Sequence, residues 1–74
     1  MSNNISVGDL VKALALSTTC VGEDFIGFIG EVIRFHSDGD AKIEFSKPPT
    51  YSRYYPHTTW GWFRPTDLEL VFSK

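Results

Sequence analysis

The chain has 74 residues, a formal net charge of −2 and one cysteine. That length gives one domain, residues 1–74, whose single core supplies about 3–5 kcal/mol, leaving little to support a deep, water-excluding active site. One thiol excludes an internal disulfide, the charge argues against general phosphate binding, and Cys20, His36 and His57 without a CxxC or HxxxH spacing argue against a structural metal.

Other exclusions are local. No run approaches the ~20 apolar residues of a membrane span. Met1–Ile5 lacks the basic-then-apolar pattern of a secretory signal, so the expected setting is the reduced cytoplasm. Cys20 reads as a small buried or half-buried loop residue.

Strand signals dominate the chain. Gly8-Asp9 is a turn. After it, Val11, Ala13 and Ala15 share one face and Leu10, Lys12, Leu14 and Leu16 the other. Leu and Ala also suit a helix, but the Gly8 start favours strand. Residues 17–24 are polar and contain Gly22, which makes a loop. Phe25–Phe35 is β-branched and aromatic, a long strand in which Gly27 and Gly30 mark a bulge or sharp bend.

His36–Asp40 is a hairpin turn, because Gly39 after Asp38 accepts positive φ. Ala41–Phe45 alternates, with Ala41, Ile43 and Phe45 inward and Lys42 and Glu44 outward. Residues 46–58 hold Pro48, Pro49 and Pro56 without periodicity, a long loop extended at the Pro pair. Thr59–Phe63 is a short strand. Arg64–Leu68 is a single helical turn with Pro65 at its first position and Thr66 or Asp67 as cap. Leu68–Phe72 is the last strand, and Ser73 and Lys74 should fray. Five strands with one short helical turn before the last predict an all-β, five-stranded SH3-like barrel.

No constellation carries catalysis. His36 precedes a turn and should be solvent-exposed. His57 is the better functional candidate, but no nucleophile and acid accompany it. Asp38 and Asp40 read as turn formers, and phosphate-cradling glycine motifs are missing. The unusual region runs from 45 to 63, with Phe45, Tyr51, Tyr54, Tyr55, Trp60, Trp62 and Phe63 interleaved with Lys47, Arg53 and His57 and followed by Arg64. Phe45 and Phe63 read as core. Trp60 and Trp62 alternate with Gly61 and should point outward if Phe63 points inward. Tyr51, Arg53, Tyr54, Tyr55, His57, Trp60, Trp62 and Arg64 form the candidate partner-binding set, since Tyr, Trp and Arg dominate interface hot spots. The expected function is a non-catalytic subunit that binds a protein. The alternatives are single-stranded nucleic-acid binding or peptide recognition through the aromatic and basic loop 48–64. No catalytic residue, metal or cofactor is expected.

The segments Val7–Ala13 (VGDLVKA), Gly30–Val32 (GEV) and Trp62–Val71 (WFRPTDLELV) resemble the variable (alpha) chain of ferredoxin–thioredoxin reductase. That family is a short SH3-like barrel that opens on a VGD turn and closes on an aromatic-Arg segment. The resemblance implies a partner-bracing role beside an iron–sulfur catalytic subunit. The chain departs from the family in its first loop, STTCVGED, and in carrying its bulk in the Pro/Tyr-rich loop.

Overall fold

The computed structural model describes residues 5–19, 22–53 and 56–74. The expectations for Cys20, Tyr54 and Tyr55 lie outside the described residues. Strands β1 (Leu10–Ala13), β2 (Ile29–Phe35), β3 (Ala41–Phe45), β4 (Trp60–Phe63) and β5 (Leu68–Phe72) form one antiparallel sheet in the order β4-β3-β2-β1-β5. The one helical element among the described residues is a 3-10 turn, Pro65–Asp67, between β4 and β5. β4 and β5 are the two edges of the sheet and do not pair with each other, so the sheet is open.

Alternation sorts the side chains. Val11 and Ala13 of β1, Val32 of β2, Ala41, Ile43 and Phe45 of β3, Phe63 of β4 and Leu68 of β5 are buried together with Phe25. The inward set assigned to Ala41–Phe45 and Phe63 is borne out. Phe25 stacks on Phe45 at 4.2 Å between centroids, and Phe63 meets both edge-on at 5.8 and 6.2 Å. Such pairs add about 0.5–1.5 kcal/mol each beyond area burial. Three phenylalanines therefore make the centre of this small core.

The predicted long strand over 25–35 is shorter than expected. Residues 25–28 form a tight turn in which the Phe28 N–H donates to the Phe25 carbonyl at 2.8 Å and Gly27 takes φ +86°. A positive φ at the third turn position demands glycine. Phe25 is buried in the core with Phe28 packed against it, and the Gly27 N–H and Phe28 carbonyl pair with Ala13 at 2.9 and 3.1 Å beyond the end of β2. The sharp bend expected at Gly27 is thus present, outside the strand. The 36–40 hairpin is as expected: His36 N–H donates to Asp40 O (2.8 Å), Gly39 N–H to His36 O (2.9 Å), and Gly39 has φ +96°.

Three smaller expectations are corrected. Arg64, not Thr66 or Asp67, occupies the cap position of the 3-10 turn, and no side chain caps it. β1 ends at Ala13, short of the expected Leu16, although the Leu14 N–H still donates to the Asp67 carbonyl at 2.9 Å in the β1–β5 register. Lys74 does not fray, since its backbone N–H donates to Asp9 Oδ1 at 3.0 Å.

Candidate functional site

The outer face of β2, β3 and β4 gathers the most unusual side chains. Cross-strand register arranges them in two rows. Arg34, Lys42 and Trp62 stand opposite one another in the first, and Glu31, Glu44 and Trp60 in the second. The β-bulge between Val32 and Arg34 keeps Arg34 on this face, opposite Lys42, rather than turned to the core. Trp60 is exposed and Trp62 half-buried, while Gly61 and Phe63 between and after them are buried. The outward orientation expected of both tryptophans follows from this alternation.

Each ring carries a cation. Lys42 Nζ lies 4.5 Å from the Trp60 centroid, and the Arg34 guanidinium carbon lies 5.5 Å from the Trp62 ring. The His36 ring meets Trp62 edge-on at 5.7 Å, so this exposed histidine is also a wall of the site. Exposed cation–π contacts are worth about 0.5–1 kcal/mol each and hold the long side chains over the rings. Among the described residues, Arg34 and Lys42 have no carboxylate within ion-pair distance, whereas Lys12 meets Glu69 at 3.7 Å.

The site ends in an open cleft of about 280 Å³ lined by Thr18, Thr19, His36, Asp38, Asp40 and Trp62. Thr18 closes one wall. Its N–H donates to Trp62 O at 2.8 Å and its hydroxyl to Asp40 Oδ2 at 2.9 Å. At the hairpin tip, Asp38 Oδ1 accepts the Asp40 N–H at 2.9 Å and lies 3.3 Å from His36 Nδ1. The Asp40 N–H, together with His36, holds the Asp38 carboxyl below its ordinary value of 3.8.

Beside Thr18, a buried carboxylate ties Ser17 and Thr19. Glu23 is 4% exposed and accepts hydrogen bonds from the Ser17 hydroxyl and, at 2.8 Å, from the Thr19 hydroxyl. The Glu23 N–H donates back to Ser17 Oγ at 2.9 Å. This mutual pairing satisfies groups that would otherwise be costly to bury. The loop therefore presents Thr18 to the edge of β4.

The rest of the candidate set is distributed differently. Tyr51 is 64% exposed and sits in an isolated bridge with Asp24, whose N–H donates to Tyr51 O at 2.8 Å. Arg53 and His57 are exposed in the same long loop, and Arg64 is exposed at the head of the 3-10 turn. The contacts to the tryptophan rings come from Arg34, His36 and Lys42, which were not in the set. The alternation of Lys42 and the hairpin position of His36 carried the signal, but their meeting with β4 depends on strand order.

Among the described residues, no group of three or more His, Cys, Asp or Glu side chains is placed to hold a metal ion, and no helix is long and apolar enough to cross a membrane. No family model, no curated protein and no solved structure matches the chain.

Proposed function

We propose that this chain is a non-catalytic binding module of SH3-like barrel type that docks a protein partner on the outer face of β2–β4. The observation that carries the reading is the display of Trp60 and Trp62 on one sheet face, each under a cation. Aromatic rings with basic neighbours on a rigid sheet are the residue types of interface hot spots. A patch of this kind on a small domain marks an interaction surface. The SH3-like assignment is supported by the strand order and by the 3-10 turn before β5, in a sheet whose edge strands β4 and β5 do not pair. Bracing of an iron–sulfur catalytic subunit is the specific form of this role that the VGD, GEV and WFRPTDLELV segments suggest.

The test is recovery of a stoichiometric partner by the tagged full chain expressed in its native cells, compared with Trp60→Ala/Trp62→Ala. The wild type should retain the partner and the double variant lose it, with visible cluster absorbance in the complex if the partner is an iron–sulfur subunit. Equal recovery by both chains overturns the reading.

A further inference from the structure

The outer line of β3 is charged in strict alternation. Lys42 and Glu44 leave the same face of β3, and Asp40, just before the strand, lines the cleft beside Trp62, giving the order minus, plus, minus. The neighbouring strand reinforces the pattern instead of cancelling it. Arg34 lies opposite Lys42, and Glu31 lies opposite Glu44. Asp38 adds a second carboxylate beside Asp40 at the hairpin end. The face is thus a basic row between two acidic zones, with Trp62 closing the basic row and Trp60 the acidic row beside it.

Two features show that the basic row is poised for an external anion. Arg34 and Lys42 meet no carboxylate among the described residues, despite Glu44 two positions away on the same strand. Their charged ends already rest over the tryptophan rings, which lowers the ordering cost of a new pair. Like charges directly opposite, as in Glu31 and Glu44, are unfavourable in the free sheet and are relieved by a cation from outside.

We propose that this face recognises an extended protein segment with the opposite alternation, a carboxylate flanked by basic side chains at every second position (Lys-x-Glu-x-Lys or its Arg and Asp equivalents). A strand advances about 6.6–6.8 Å per two residues, so such a segment matches the row spacing of β3 step for step. The carboxylate sits over Arg34 and Lys42, and the flanking cations over Glu31/Glu44 and Asp38/Asp40. A nucleic-acid strand is the poorer occupant, because its phosphates recur without alternation and run onto the acidic zones. The inference rests on the proposed recognition face and gives it a partner chemistry.

The experiment titrates the isotope-labelled full chain with three probes and reads the Trp60 and Trp62 indole signals. The probes are a nine-residue peptide centred on Lys-Thr-Glu-Thr-Lys, its charge-swapped counterpart centred on Glu-Thr-Lys-Thr-Glu, and an eight-nucleotide oligothymidylate. The first peptide should shift both indoles and bind about tenfold more tightly than the swapped one, with affinity falling as salt is raised. Lys42→Gln should weaken it about tenfold and Lys42→Arg should retain it, both with unchanged amide dispersion. Equal binding of the two peptides, stronger shifts with the oligonucleotide, or no indole shift with either peptide overturns the proposal. Loss of the native partner by Trp60→Ala/Trp62→Ala alongside such a result leaves the recognition face standing and removes only its charge code.

Discussion

Lys42 on β3 stands directly opposite Trp62 in the β3–β4 register, yet its ammonium rests over Trp60, two residues back along β4. The diagonal contact leaves Trp62 to Arg34 and His36 from β2 and its hairpin. One sheet face is thereby knitted across three strands by rings and cations. Among the described residues, Arg34 and Lys42 have no carboxylate within ion-pair distance.

The segments around Ser6 and Lys74 meet at one buried carboxylate. Asp9 is 3% exposed and its carboxylate accepts the Ser6 N–H at 2.8 Å and the Lys74 N–H at 3.0 Å. Asp9→Ala leaves both donors without this partner and should cost about 1–3 kcal/mol. Urea denaturation should show the midpoint fall at an unchanged slope; an unchanged midpoint would mean that the tie contributes nothing.

Two glycines should fail for different reasons. A Cβ on Gly30 would lie 2.5 Å from Glu44 O, 2.7 Å from Ile43 Cγ2 and 2.8 Å from Phe45 Cδ1, so Gly30→Ala forces β2 and β3 apart. The expected loss is about 3 kcal/mol, enough to unfold a domain of this size. Gly39 faces open space but has φ +96°. Gly39→Ala should cost about 1–2 kcal/mol and Gly39→Asn less. Thermal melts of the three variants give the ranking directly.

Glu31 and Glu44 face each other across β2 and β3. Glu31→Lys replaces repulsion by attraction and should raise stability by about 0.2–1 kcal/mol, most visibly at low salt. The same variant should weaken the proposed recognition of flanking cations, so stability and binding should move in opposite directions.

The hairpin tip sets an acid-side dependence. The folded Asp38 carboxyl titrates below 3.8, chiefly because it accepts the Asp40 N–H. A depressed carboxyl contributes stability that is fully present above the unfolded value and is lost as pH falls through the folded one. Loosening of the hairpin should therefore begin below about pH 4. Carboxyl carbon shifts of Asp38 followed against pH should give a midpoint below 3.8, and Asp38→Asn should remove this dependence.

Much of the fold was legible because several residues carried their geometry locally. Gly39 after Asp38 demanded a hairpin, Ala41–Phe45 alternated without exception, and Pro65 opened the short turn before β5. The outward tryptophans followed from Phe63 pointing inward. Phe25–Phe28 misled because aromatic and β-branched residues serve a core plug as well as a strand, and only the Gly27 backbone separates the two. The Asp9–Lys74 tie spans nearly the whole chain, and no local pattern announces a contact of that separation. Arg34, His36 and Lys42 escaped the candidate site for a related reason: aromatic density drew attention to the loop 48–64, while the ring contacts come from strands paired across the sheet.

The central claim is that this chain works by presenting the outer face of β2–β4 to a protein. The most direct measurement is a map of amide and indole shifts in the labelled full chain on adding the partner purified with it. The account predicts that the shifts concentrate on Arg34, Lys42, Glu44, Trp60 and Trp62. Shifts gathered on Leu10, Lys12, Glu69 and Phe72 of β1 and β5, with both indoles unmoved, would contradict it.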